Sequence, residues 1–317
     1  MLSKALIMRL FPVLAVLALL APAVRAQTPI TIVVNFAAGG SADRMARLLA
    51  PELGEALGTQ VVVKTTTGAA GAIGAAEVAR ARPDGTTLLL TTTGPLGVQP
   101  HFRSDLPYRV ADFAPLCQLG DAPVMVMSAP GSAVRDAASL VARIRAARGG
   151  FNYGSVGPGS IPHIVMVALA RQNNLEMTHV PFRGSAEAII ALLRQDVEVY
   201  ADLPGALRVN NLQAVGVMAE ARTAEFPDTP TMREQGYDLV YSIWAGLFAP
   251  ANTPASFMER AEAACQRALR APSVVEGFER LSTPITFRGR SDFGQFWAAE
   301  LDKYREIVQS AGVRPGD

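Results

Sequence analysis

The chain has 317 residues, of which 50% are hydrophobic and 18% charged, with a formal net charge of +1 and a positive mean hydropathy. Such a length and composition supply two ordinary hydrophobic cores and exclude a disordered class. The near-neutral balance carries no electrostatic footprint for nucleic acid or an anionic membrane surface.

The first segment is "MLSKALIMRLFPVLAVLALLAPAVRA". Lys4 and Arg9 precede an apolar run from Leu10 to Leu20, and the small residues Val24 and Ala26 precede Gln27. This is the layout of a secretory signal, with a core too short for a bilayer of about 30 Å. Cleavage is expected after about Ala26. It removes Lys4, Arg9 and Arg25 and no acid, which takes the formal charge to −2. No later stretch holds roughly 18 consecutive apolar residues, so the mature chain reads as exported and soluble.

Beyond the signal, strands are expected at 30–36, 60–64, 86–92, 123–128, 152–154, 178–181, 197–201 and 214–218, alternating with helical patterns. Met45, Leu49, Leu53 and Leu57 recur every four residues and stop at Gly58. "SLVARIRAARGG" ends on its own glycine pair, as a glycine-capped helix does. The alternation argues for an α/β architecture of two units, with mostly parallel sheets covered by helices. "VMVMSAPGSAV" and "SIWAGLFAPANTP" are apolar runs with Gly/Pro-rich exits, which suits strands crossing between domains. The expected division is 27–127 plus 246–317 for domain 1 and 128–245 for domain 2. The tail returns a helix with Phe293, Phe296, Trp297, Leu301 and Tyr304 on one face.

Cys117 sits in the strand-like "APLCQLG" and Cys265 on the apolar face of a helix beside Phe257 and Ala261. Export permits a disulfide between them, and two buried thiols are the alternative.

Three loops leave strand ends with small residues ahead of a helix. In "NFAAGGSADRM", Phe36, Ala37, Ala38, Gly39 and Gly40 lead to Ser41 or Asp43 as the helix start. In "YGSVGPGSIPH", Ser155, Val156, Gly157, Gly159 and Ser160 precede a helix with Pro162 and His163 in its first turn. In "HVPFRGSAEAII", Arg183 precedes Gly184, Ser185 and Ala186. The first amides of a helix are unpaired, and its dipole makes that end about half a charge positive. Small residues let an anion within hydrogen-bond reach, and with so few basic side chains the backbone becomes the binding agent. A single loop of this kind is an ordinary βα connector; three in one exported chain point to an anion, with the amides over Gly39 and Gly40 as the first expected donors.

Other chemistries lack their residues. "GAAGAIG" (68–74) has the wrong spacing for a dinucleotide fingerprint, and no G-K-[ST] occurs. His101, His163 and His179 are scattered, so neither a metal nor a cofactor is expected. Ser155 and Ser160 lack the G-x-S-x-G elbow, and His163 reads as a packing or capping residue.

"NFAAGGSAD", "TGAAGAIGAAEVARARPDGTTLLL", "NYGSVGPGSIPH", "HVPFRGSAEA", "FPDTPTMREQGYD" and "GLFAPANTP" together resemble the solute-binding proteins of the tripartite tricarboxylate transporter class, the TctC or Bug family, nearly end to end. The resemblance implies a periplasmic two-domain clam-shell that holds a small organic acid between its domains: a di- or tricarboxylate, an aromatic carboxylate or an acidic amino acid. By the same resemblance the loop from Phe36 to Asp43 holds one carboxylate, partly through water. The loop from Ser155 to Ser160 and the helix start from Gly184 to Ala186 serve the other end, with Asp202 at a strand end. Thr93 and His163 join this ligand-binding set. Three departures stand out: Asn35 where a proline is common, Thr65 to Thr67 before the glycine-rich turn, and a shorter "YADLPGAL" after Asp202.

The function implied is capture of the acid for membrane transporter subunits. A ligand-sensing co-receptor, or an exported hydrolase or isomerase on the same scaffold, is the alternative. A monomer is expected, with a small organic acid, and membrane subunits or a sensor, as partners and no nucleic acid.

Overall fold

The expected α/β alternation is realised as a single mixed sheet flanked by helices in a computed structural model that describes residues 28–148 and 150–311. The expected signal segment 1–26 and its cleavage point lie outside the described residues. The chain runs through β1 (Ile30–Val34), α1 (Ser41–Leu57), β2 (Val61–Thr65), α2 (Ala72–Ala79), β3 (Thr87–Thr92), α3 (Gln99–Phe102) and β4 (Phe113–Ser128). It continues with α4 (Ala137–Ala147), β5 (Asn152–Ser155), α5 (Ile161–Gln172), β6 (Thr178–Pro181), α6 (Ser185–Leu193), β7 (Val199–Asp202), α7 (Gly205–Asn210) and β8 (Gln213–Met218). Then follow β9 (Ser242–Pro250), α8 (Ala255–Ala268), α9 (Pro272–Arg280), β10 (Ile285–Arg288) and α10 (Arg290–Ala311).

The strand order is β2-β1-β3-β9-β4-β7-β5-β6, with β8 and β10 also paired to β4. Pairing is parallel in the flanking ladders and antiparallel wherever β4 or β9 takes part. β4 is the spine. From Phe113 to Pro123 it pairs with β9, and from Val124 to Ser128 with β8 and β7. The strand-like "APLCQLG" and the run at 123–128 are therefore one strand of 16 residues. β10 has no counterpart among the expected strands, because "ITFR" is short, half-buried throughout and without an apolar run.

Successive residues of the outer strands bury on opposite faces, as a pleated strand requires. Ile32, Val34, Leu88 and Leu90 pack with Met45, Leu49 and Leu53 of α1. Val33 and Leu89 pack with Trp244, Phe248, Phe293 and Trp297. In this second layer α10 sets Trp297 5.0 Å and Phe293 5.1 Å from the Phe248 ring. Both indole N–H groups are satisfied, by Leu96 O and by Glu300 Oε2, as buried tryptophans require.

α1 stops where Gly58 takes a left-handed φ of 69° and its N–H turns back to Glu55 and Gly54 carbonyls. The end of α4 differs from expectation: Arg148, ahead of the glycine pair, takes the left-handed position at φ 48°. Cys117 of β4 and Cys265 of α8 form a disulfide with Cα atoms 6.8 Å apart and a sequence separation of 148. Of the two alternatives open in the sequence, the bridge is the one present.

A cross-link closing so long a loop removes about 5 kcal/mol of unfolded-state entropy in the chain-entropy treatment. The double variant Cys117→Ala/Cys265→Ala is expected to melt well below the parent in a calorimetric scan. A reductant is expected to lower the melting temperature of the parent and leave that of the variant unchanged.

Candidate functional site

The first loop is fixed from both sides. Asn35, fully buried at the end of β1, donates to Gly71 O at 3.1 Å and Thr91 Oγ1 at 3.0 Å, which ties the strand end to the glycine-rich turn. The chain then turns back on itself. Gly40 N–H reaches Ala37 O at 3.3 Å, and Gly39, at φ 81°, donates its N–H to Asp43 Oδ2 at 2.9 Å. Asp43 is buried and also accepts from Arg47. The helix starts at Ser41 with Gly40 as its cap, at φ −75°, and no side chain caps it. The amides at Gly39 and Gly40, the donors expected from sequence, are thus spent inside the loop. The donors left for an outside acceptor are those of the first turn, beginning at Ser41 and Ala42.

The second loop is held by its own polar residues. Ser155 is fully buried; its Oγ accepts from Gly157 N–H at 2.9 Å and lies 2.5 Å from His179 Nε2. Ser160 donates to Gly157 O at 2.7 Å. His163, fully buried, accepts from Gly159 N–H at 3.2 Å through Nδ1, so it caps the entry to α5. Its ring lies 4.3 Å from that of His179, which stacks at 5.1 Å on Tyr153. Burial, reinforced by His163 nearby, pushes His179 down to about 4. Ser155 and His179 hold each other behind the loop, and neither lines the cavity described next.

A cavity of about 510 Å³, mouth included, opens between the two ends of the sheet. Phe36, Gly40, Ser41, Ala42, Thr92 and Gly94 line one side; Val156, Ser160, Ile161, Pro162, Ser185, Asp202 and Leu203 line the other, with Ile243 from β9. No Lys, Arg or His is among them. A second, outer space of about 670 Å³ shares Gly40, Ser41 and Ser185 with it and adds Gly39, Arg44 and Ala186. Asp202 is 5% exposed. Its Oδ1 accepts from Leu203 N–H at 2.8 Å and its Oδ2 from the Tyr200 hydroxyl at 2.8 Å, with Ser185 Oγ 3.0 Å from that hydroxyl. Burial raises its carboxyl above the ordinary range, partly offset by these hydrogen bonds. Burial, with Asp202 beside it, holds the Tyr200 phenol protonated.

The glycines of the second and third loops answer to a different constraint from the one read in sequence. A β-carbon on Gly184 would lie 2.7 Å from Ala37 Cβ, one on Gly157 2.9 Å from Ala70 Cβ, and one on Gly159 2.8 Å from Phe102. The two ends of the sheet meet closely there, and a side chain would hold them apart. Gly157 and Gly159 also sit at φ 112° and 76°, where glycine alone is unstrained. Gly184 is extended at φ −178°, so only the approach of Ala37 excludes larger residues.

Of the residues expected at the site, Phe36, Gly40, Ser41, Val156, Ser160, Ser185 and Asp202 line the inner cavity, and Gly39 and Ala186 the outer one. Ala37 and Gly184 form the seam, Ala38 is exposed, and Asp43, Ser155, Gly157, Gly159 and His163 support the loops from behind. Thr93 is buried and accepts from Trp244 N–H at 2.9 Å, which turns its hydroxyl into the sheet; its neighbour Thr92 lines the cavity instead. The Arg183 side chain is exposed and lines neither space. Among the residues of the "VKTTTG" departure, Thr66 donates to Glu77 at 2.8 Å. Leu203 and Ile243 were not expected at the site; "SIWAG" read only as a crossing strand. Among the described residues no helix is long and apolar enough to cross a membrane, and no group of three or more His, Cys, Asp or Glu could hold a metal.

A family model described as the tripartite tricarboxylate transporter family receptor matches residues 45–313. The periplasmic binding protein BugD is 27% identical with a TM-score of 0.85, over 90% of this chain and 98% of that one. MatC (Rpa3494) from Rhodopseudomonas palustris, solved with bound malate, is 30% identical with a TM-score of 0.84, over 88% and 98%. Rpa4515 of R. palustris, solved with adipate, is 25% identical with a TM-score of 0.86, over 91% and 99%. The family and these neighbours are binding proteins, not enzymes.

The histidine stack sets a pH dependence. An unfolded His179 titrates near 6.5 and the folded one near 4, so between those values the unfolded chain binds the extra proton. The stability from neutral burial is complete above about pH 6.5 and is lost as pH falls toward about 4. Melting temperatures followed from about pH 7 to 4.5 are expected to fall less steeply in His179→Gln than in the parent.

Proposed function

The chain belongs to the tripartite tricarboxylate transporter receptor family of periplasmic solute-binding proteins, and from that premise we propose that it captures a small organic acid in the cleft and presents it to membrane transporter subunits. The observation that carries this reading is the uncapped start of α1 facing a cavity lined by no basic side chain. A ligand carboxylate there accepts from the Ser41 and Ala42 amides and the Ser41 hydroxyl. Each charge-assisted bond is worth about 1.5–3 kcal/mol, and the helix dipole adds its partial positive charge. Ser160 and Ser185 offer hydroxyls from the facing side. The neighbours solved with malate and adipate support an acid as the class of ligand, including di- and tricarboxylates, aromatic carboxylates and acidic amino acids. Export to the periplasm follows from the expected signal segment.

The mechanism is closure. We place two lobes on either side of the partner change in the sheet, where β4 leaves β9 for β8 between Pro123 and Val124 and the chain returns at Ser242. The division expected from sequence lies at 128 and 246. The glycine seam is the closed arrangement. A ligand held from both sides supplies the differential contacts that favour it over an open one.

Two measurements test this reading. In a calorimetric screen of carboxylic acids, Gly40→Val is expected to weaken the tightest acid by about tenfold or more while keeping the fold, because φ −75° suits valine. Unchanged affinity would remove the α1 start from the site. Gly184→Val places its branches against Ala37, so small-angle scattering with saturating acid is expected to show a larger radius of gyration than the parent's. An equal radius in both, with and without acid, would overturn the closure mechanism.

A further inference from the structure

One residue of the cavity wall names the ligand more narrowly. Among the described residues Asp202 is the only ionisable one lining the cavity, and Phe36, Val156, Ile161, Leu203 and Ile243 make much of the remaining wall apolar. Each carboxylate oxygen has two acceptor positions. Leu203 N–H takes one on Oδ1, the Tyr200 hydroxyl one on Oδ2, and the Ser185 hydroxyl also bonds the carboxyl. Capacity for one further donor therefore remains on a residue only 5% exposed. Asp202 forms no ion pair among the described residues, and no basic group contributes to its electrostatics. A buried carboxylate with hydrogen bonds and no counter-ion is costly, and a cationic ligand group relieves that cost.

We infer that this cleft selects an acid with a single carboxylate, an apolar spacer and an ammonium group at the other end, the carboxylate on the α1 start and the ammonium on Asp202. The inference rests on the carboxylate reading of the cleft and narrows it. A dicarboxylate of the same length brings its second anion against Asp202 in a space with no cation to separate them. A plain monocarboxylate leaves Asp202 unpaired. The selection is one of charge, set by an acid on the wall where a binder of dicarboxylates needs a donor.

The test uses matched sets at three lengths: butanoate, 4-aminobutanoate and succinate; pentanoate, 5-aminopentanoate and glutarate; hexanoate, 6-aminohexanoate and adipate. Isothermal titration at neutral pH is expected to rank the amino acid about tenfold or more above both partners at the length that fits. In Asp202→Asn that preference is expected to vanish, the amino acid weakening while the monocarboxylate keeps its affinity. A dicarboxylate bound tightest by the parent overturns the inference, as does an amino-acid preference that survives in Asp202→Asn. The parent's ranking decides on its own where the variant does not fold. Absence of binding by every compound at millimolar concentration overturns the carboxylate reading together with this inference, whereas a lead taken by dicarboxylates overturns the inference alone.

Discussion

Everything in this molecule hangs on a single strand that belongs to both ends of the sheet. β4 carries backbone hydrogen bonds to β9 through its first eleven residues and to β8 and β7 through its last five. The exchange falls at Pro123, which has no N–H to give to a ladder. A ladder that changes partner at a residue without a donor loses little there, so the sheet can bend without breaking bonds it needs elsewhere. The disulfide from Cys117 to α8 anchors the first part of β4, while the partner change lies beyond it.

That arrangement explains the chemistry of the cleft. Parallel strands deliver their chain ends, and hence their helix starts, to the same edge of the sheet. β1 brings the start of α1 to this edge, β5 the start of α5 and β6 the start of α6. Two sheet ends facing each other therefore face each other with helix N-termini. Donors fixed by the backbone need no long side chain to be ordered, so binding to them carries a low entropy cost. The same geometry forbids bulk where the ends touch, and Gly157, Gly159 and Gly184 meet that demand.

The polar groups behind the loops hold the loop shapes. Asn35, Asp43, Ser155 and His163 are buried, and each bonds a backbone group within or beside its loop. Asp202 differs from them because it is turned toward the cavity. It is the one ionisable side chain among the described residues that line the cavity.

How much of this could be read beforehand follows the range of the forces involved. Helix periodicity, the glycine stop at 58, β-branched runs and the helix starts after small-residue loops are local patterns, and Met45, Leu49 and Leu53 bury where their spacing places them. The α/β class and the three loops at one site came from such patterns, joined by the resemblance of several long motifs. What local pattern cannot carry is pairing between distant segments. The union of "APLCQLG" with the run at 123–128, the pairing of β10, the bridge between Cys117 and Cys265, and the presence of Ile243 and Leu203 in the cavity all depend on contacts many tens of residues apart. The clearest case is glycine. The sequence determined that Gly157, Gly159 and Gly184 leave room beside the backbone; the tertiary structure decided that the opposite end of the sheet fills that room, because only the folded chain brings Ala70, Phe102 and Ala37 within contact distance of them.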